Sequence, residues 1–330
     1  MSELLLEYGV VLGIAFILST LLGRLIIPIL QAKKAGQRIL EIGPSWHHDK
    51  EGTPTMGGIS FILAILLTLT GISFWYFFRG KQSELIPLAL TMALAVMNGM
   101  IGFVDDFCKL VKKQNEGLKA YQKFTLQVLM AVIYILLLNR LGYIETAVHI
   151  PFTEITVELG IVYYVFALFV IVGMVNSVNL TDGLDGLAGT VTLIVFLFFS
   201  AVGLSYWNSS LSLISAALVG GMLGFLIYNL HPAKMFMGDT GSLFLGGAVT
   251  GAAFIINEPM IIFLVGGMYA LESLSVILQV GSYKLRHGKR IFLMAPIHHH
   301  FEKKGWGEAK IVTVFGVITA ALCVLAWFGL

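Results

Sequence analysis

Apolar residues along this chain run in long blocks, at about 4–30, 56–78, 86–104, 124–139, 160–179, 187–207, 211–230, 241–257, 260–282 and 311–329. Blocks near or above the ~18 residues that cross a hydrocarbon core read as transmembrane helices. The pattern therefore predicts an all-α membrane protein of about ten spans, forming one polytopic domain over residues 1–330. The shorter blocks also fit re-entrant or broken helices, which survive at membrane depth where protein or a water-filled cavity covers them. Residues 140–159, NRLGYIETAVHIPFTEITVE, alternate β-branched and polar residues around Pro151 and predict a short β-hairpin. The first block lacks a basic leader and a small-residue cleavage site, so it is expected to be a retained span.

Composition strengthens this picture and charge orients it. The chain is 57% hydrophobic and 12% charged, whereas soluble domains carry about 25% charged residues. A net charge of +2 gives no footprint for nucleic acid. Ten spans divide the connections into two alternating sets, and the loops 31–55, 105–123, 180–186, 231–240 and 283–310 hold 17 of the 21 Lys and Arg. The opposite set holds Arg79, Lys81 and Arg140, with Arg24 inside the first span. The positive-inside rule makes the Lys-rich loops cytoplasmic and leaves both termini, with the hairpin, on the extracytoplasmic side. Cys108 beside a polar loop and Cys323 in the last apolar block are poorly placed to pair and are expected as free thiols. GGMLG at 220–224 suits close helix packing.

Acidic residues segregate by type as well as by side. All six aspartates, Asp49, Asp105, Asp106, Asp182, Asp185 and Asp239, fall in or beside the Lys-rich loops, while the outer loops use Glu84, Glu145, Glu154 and Glu158. Ionisable groups near bilayer depth are costly and point to function. Asp105 and Asp106 end a span, where the helix dipole disfavours negative charge, so either a solvated helix end beside Lys109, Lys112 and Lys113 or a bound cation must relieve the conflict. In NSVNLTDGLDGLAGT, Asn176 and Asn179 close one span, and Asp182 and Asp185 sit at i, i+3 between glycines that admit a ligand to the backbone. Helix capping by Thr181 or Asp182 is the plainer reading of that stretch. In MFMGDTGSLFLGG, Asp239 stands between a glycine and Thr240 at the start of another span, and Asn229 and His231 precede it on the same face. Oxygen ligands beside flexible backbone suit Mg²⁺ and a phosphorylated substrate.

Two cationic loops face these acids. HHDKEGTPTMGG offers His47, His48, Lys50, Thr53 and Thr55 as donors to a phosphate or polar head group. MAPIHHHFEKKG carries His298, His299 and His300, which fan apart on any regular element and lack the spacing of a zinc site. A polar wall for a nucleotide or pyrophosphate is the reading that fits a Lys-rich loop opposite clustered aspartates.

TPTMGG at 53–58, VDD at 104–106, NLTDGLDGLAG at 179–189, MGDTGSL at 237–243 and PIHHHFE at 296–302 closely resemble, in order and over most of the chain, the phospho-N-acetylmuramoyl-pentapeptide transferase family. That family belongs to a superfamily moving a sugar 1-phosphate from a UDP-sugar to a polyprenyl phosphate. The resemblance implies UDP-MurNAc-pentapeptide and undecaprenyl phosphate as substrates, lipid I and UMP as products, and Mg²⁺ as cofactor. It also implies a multi-pass protein of the bacterial cytoplasmic membrane, with its site facing the cytoplasm, and a homodimer. Carried over residue by residue, it makes Asp239 the first metal ligand with Asp105 and Asp106 beside it, and Asp105 the group that deprotonates or orients the acceptor phosphate. Lys50, Asn179, Asp182, Gly183, Leu184, Asp185, Asn229 and Phe236 line the uridine and pyrophosphate side, Phe236 stacking on uracil and Asp185 accepting from its imide. His298 and His299 hold the phosphate or sugar side, and His300 is structural. Lys109, Lys113, Lys119 and Lys123 draw the anionic lipid head group. Thr55 and Asn176 complete the expected set of binding residues.

Two other readings compete. A transferase for a different UDP-sugar differs chiefly in the last loop, and a cation-coupled transporter would also place carboxylates in its spans. A transporter's acids belong near mid-membrane, whereas these sit at the inner ends of spans.

Overall fold

In hydrocarbon the backbone has no water to bond, so each long apolar block satisfies its N–H and C=O groups internally as a helix. The computed structural model describes residues 2–33, 52–112 and 116–330. In chain order the elements are α1 (Ser2–Ala32), α2 (Gly58–Phe78), α3 (Leu85–Lys112), α4 (Ala120–Arg140), β1 (Ala147–His149), β2 (Thr156–Glu158), α5 (Val162–Thr181), α6 (Leu187–Ser205), α7 (Ser209–Asn229), α8 (Gly238–Ile255), α9 (Ile262–Val265), α10 (Gly267–Leu285), α11 (Ile297–Lys303) and α12 (Glu308–Trp327). Among the described residues, eight helices are long and apolar enough to cross a membrane, or nine if the bent pair 259–265 and 267–285 counts as one span. Lys50 and Lys113, with His47, His48 and Asp49, lie outside the described residues.

Two of the ten expected blocks are not plain membrane-crossing helices. The block at 260–282 is broken, its two parts meeting at 78°. At the break a Cβ on Gly266 would stand 2.6 Å from the Ile262 carbonyl oxygen and 2.6 Å from Met174 Cε, so the turn is packed too tightly for a side chain. The block at 241–257 is α8, whose first turn is Gly-Asp-Thr-Gly-Ser and whose residues Thr240 to Phe254 are all buried. A helix sheathed by α2, α3 and α5 faces protein rather than lipid, and it needs small side chains more than greasy ones. A Cβ on Gly246 would lie 2.6 Å from Val175 Cα of α5. The GGMLG stretch of α7 does the same against α1, where a Cβ on Gly220 would meet the Leu12 carbonyl oxygen at 2.2 Å.

The bundle has two chemically different ends. At one, Arg79 Nη1 pairs with Glu3 Oε1 at 2.9 Å, and Tyr164 Oη donates to Asn139 Oδ1 at 2.9 Å. The expected hairpin forms at this end, antiparallel with Val148 opposite Val157, and His149 Nδ1 lies 3.4 Å from Glu258 Oε2. The first turn of α1, through Glu3, and the last residues of the chain, through Gly329 beside Pro151 and Phe152, lie there too. Every described aspartate lies at the other end. Cys108 and Cys323 are free thiols.

Candidate active site

The site begins with two loops joined main chain to main chain. Phe236 N donates to the Pro54 carbonyl at 2.8 Å, Gly57 N to the Phe236 carbonyl at 2.8 Å and Gly58 N to the Met237 carbonyl at 3.0 Å. TPTMGG and MFMGD therefore form one knot from which α2 and α8 both start. Gly238 adopts φ +71°, and a Cβ there would fall 2.6 Å from Asp106 Oδ2 and 2.8 Å from Thr55 Oγ1. Only glycine lets Thr55 and Asp106 close on this backbone.

Onto this knot α3 brings Asp105 and Asp106, and α8 brings Asp239 in its first turn, where the dipole favours a carboxylate. One oxygen from each of the three lies within 4.8 Å of the others. Asp106 Oδ2 accepts from Thr240 N at 2.9 Å and Thr240 Oγ1 at 2.8 Å, and Asp105 Oδ1 accepts from Leu118 N at 2.7 Å. The dipole conflict expected at the end of α3 is answered within the chain by Lys109. Its Nζ reaches Asp105 Oδ2 at 2.6 Å, Asp239 Oδ2 at 3.1 Å and Asp106 Oδ1 at 3.6 Å. From α4, Lys123 Nζ adds a contact to Asp239 Oδ2 at 2.7 Å. Asn179 Nδ2 of α5 donates to Asp239 Oδ1 and to Ser242 Oγ, each at 2.8 Å. Lys109 and Lys123 thus point into the acidic cluster, while Lys119 stands exposed at the start of α4. Asn176 lies one turn deeper, where its Nδ2 donates to Gln127 Oε1 at 2.7 Å.

The loop between α5 and α6 forms the neighbouring wall. Burial, followed by repulsion from Asp239, Asp106 and Asp185, pushes the Asp182 carboxyl well above the ordinary range. Asp185 Oδ2 accepts from Ala233 N at 3.0 Å and meets His231 Nδ1 at 3.1 Å. Buried Asn229 ties the two loops together, accepting from Gly186 N at 3.1 Å and donating to the Met235 carbonyl at 2.9 Å. Both ends of its amide are occupied, so here it shapes the wall. Leu184 is buried beneath it, and Phe236 is partly exposed beside the knot.

The three histidines lie on α11 and take different partners, although the His298 and His299 ring centroids are 4.1 Å apart. His298 is fully buried with Nδ1 3.0 Å from Glu272 Oε2, His299 Nδ1 meets Glu302 Oε2 at 2.5 Å, and His300 Nδ1 accepts from Leu293 N at 3.1 Å. His298 reaches the α5–α6 loop: a Cβ on Gly183 would stand 2.2 Å from its Nε2. The histidine loop therefore packs on the loop that carries Asp182 and Asp185. Sequence reading gave no role to Glu272, Glu302, Ser242 or Glu308, whose Oε2 accepts from Asp185 N at 3.1 Å. Glu272 carried a usable signal, as the one acidic residue inside the apolar block at 260–282.

Comparison with known proteins decides the family. The model of glycosyl transferase family 4 matches residues 87–257, and the phospho-N-acetylmuramoyl-pentapeptide-transferase signature 1 matches residues 50–62. A phospho-N-acetylmuramoyl-pentapeptide-transferase of Alkaliphilus metalliredigens (strain QYMF) is 48% identical over 336 residues, covering 98% of this chain and 97% of the relative. One from Clostridium novyi (strain NT) is 45% identical, covering 96% and 95%. The chain belongs to the phospho-N-acetylmuramoyl-pentapeptide-transferase family. It is a multi-pass membrane transferase. The signature of this transferase family covers the knot at 54–58, and the broader match encloses Asp105, Asp106, Asp182, Asp185 and Asp239. Glu272 and α11 lie beyond the broader match, in the part shared with the phospho-N-acetylmuramoyl-pentapeptide-transferases over nearly their whole length.

Proposed function

We propose that the chain transfers phospho-MurNAc-pentapeptide from UDP-MurNAc-pentapeptide to undecaprenyl phosphate, giving lipid I and UMP for peptidoglycan synthesis. The observation that carries this reading is the convergence of Asp105, Asp106 and Asp239 within 4.8 Å of one another at the end of the bundle that also holds the histidine loop. The charge rule makes that end cytoplasmic, where a nucleotide donor is available.

The donor set fits Mg²⁺. All three candidate ligands are carboxylates, hard oxygens without a sulfur or imidazole among them. Asp239 is the first ligand, with Asp105 and Asp106 beside it. When bound there, Mg²⁺ supplies charge neutralisation on the donor pyrophosphate. The remaining work falls to the protein as positioning and electrostatics. An oxygen of the lipid phosphate forms the new bond to the sugar-bearing phosphorus, the bond from that phosphorus to the UMP oxygen breaks, and UMP leaves with the electron pair. Asp105 orients the acceptor or takes its residual proton. Lys109 and Lys123 stand where both phosphates must approach and balance their charge. Asn179, Asp182, Gly183, Leu184, Asp185, Asn229 and Phe236 form the nucleotide side, with His298 and His299 toward the sugar.

The test is UMP release by purified protein with undecaprenyl phosphate and Mg²⁺, comparing UDP-MurNAc-pentapeptide with UDP-N-acetylglucosamine. Release with the first donor alone, and only when the lipid is present, is expected. Equal release with both donors would instead assign the chain to another sugar.

A further inference from the structure

We infer that Glu272 is the positioning residue for His298, holding its imidazole as the Nδ1–H tautomer so that Nε2 is the working atom. The inference rests on the proposed placement of His298 in the substrate site. Glu272 and His298 are both fully buried, and Glu272 Oε2 lies 3.0 Å from His298 Nδ1. An ionised carboxylate only accepts, so the hydrogen between them belongs to Nδ1. In the neutral ring Nε2 then carries the lone pair, and among the described residues it has no hydrogen-bond partner. A buried polar atom without a partner costs free energy and calls for an explanation. The position of this one supplies it: a Cβ on Gly183 would come within 2.2 Å, so Nε2 is aimed at the glycine that follows Asp182 in the substrate-side loop.

A lone carboxylate inside an apolar helix is also expensive, and α10 carries no other acid. A structural tie between α10 and α11 would need no ionisable pair. With a lone pair at Nε2, His298 suits an O–H or N–H donor of the sugar-peptide portion rather than a phosphate oxygen, which narrows its role in the proposed reaction.

Glu272→Gln separates the two roles. The amide keeps the shape of the side chain, but it can present N–H to Nδ1, moving the ring proton to Nε2 while leaving the fold in place. Rates should be measured for wild type, Glu272→Gln, His298→Ala and the double variant, with ¹⁵N-histidine spectra of the purified protein reporting the tautomer. Expected is an unchanged thermal midpoint and a kcat lowered by roughly 10²-fold, the size of losing one hydrogen bond that is made in the transition state. KM for the donor should change little, and Glu272→Gln should add no loss on top of His298→Ala. Glu272→Asp should recover part of kcat, and it replaces Gln in the cycle if the Gln variant fails to fold. An equal loss in the His298→Ala background, an unchanged kcat, or an Nε2–H tautomer in wild type would overturn the inference. His298→Ala at the wild-type rate would instead remove the site placement on which it rests.

Discussion

Asp239 is the residue on which the site turns, because side chains from α3, α4 and α5 all end on its two oxygens. Its neighbours Lys109 and Lys123 were legible as basic residues in a loop, but not as partners of one carboxylate, since that requires the fold to bring residues 116 positions apart within 2.7 Å. Lys123→Met should therefore lower the thermal midpoint, since it removes a charge-assisted contact worth about 1.5–3 kcal/mol from a cluster of three carboxylates, and should lower turnover by about 10-fold or more in the protein that remains folded. Steady-state UMP release and a melting curve in detergent check both halves. Asp182 makes a different prediction. Its carboxyl titrates near 3.9 in the unfolded chain and well above that when folded, so folding favours the protonated form. Its contribution to stability is full below the unfolded value and falls away as pH rises through the folded one. Asp182→Asn should thus melt increasingly above wild type as pH rises from about 4 toward neutrality, and a constant difference would contradict the assignment.

At the scale of elements, the apolar blocks revealed where helices lie but not what surrounds them. As apolar blocks, α8 and the stretch at 260–282 look like ordinary spans, although α8 is not among the helices apolar enough to cross a membrane. The first is wrapped in protein and glycine-rich, and the second breaks at Gly266, where the Ile262 carbonyl and Met174 of α5 occupy the space a side chain would need. The contiguous motifs were legible because each packs its chemistry into a few adjacent residues. The knot between 54–58 and 236–238 was not, since its bonds are backbone to backbone and leave no mark on side-chain type. Contact between α3 and α8 is the element-level feature that sets the carboxylate spacing. A Cβ on Gly102 would stand 2.1 Å from the Asp239 carbonyl oxygen, so Gly102→Ala should push the helices apart. An overpacking cost of about 1–3 kcal/mol is expected, and the loss of UMP release should exceed what the change in melting accounts for. Gly71, where a Cβ meets nothing within 4 Å, supplies the control: Gly71→Ala should leave activity intact.

For the molecule as a whole, charge and carboxylates agree on one working end. The structure places the hairpin and both termini at the opposite end from the aspartates, as the alternation of spans and the Lys and Arg counts predict. Which end faces the cytoplasm follows from charge alone and is open to direct measurement. In a Cys108→Ala background, a cysteine at exposed Lys304 should react with an impermeant thiol reagent only from the cytoplasmic side, and one at exposed Phe152 only from outside. The reverse pattern would invert the topology.

The most direct test of the central claim, that the three-carboxylate cluster carries transfer to the lipid phosphate, is UMP release by purified wild type and Asp239→Asn at matched folding, over a range of Mg²⁺. Wild type should release UMP in step with lipid product and only with Mg²⁺ and undecaprenyl phosphate both present. Asp239→Asn should remain folded and release none at any Mg²⁺ concentration. Wild-type release from the variant, or release from wild type without the divalent ion, would contradict the claim.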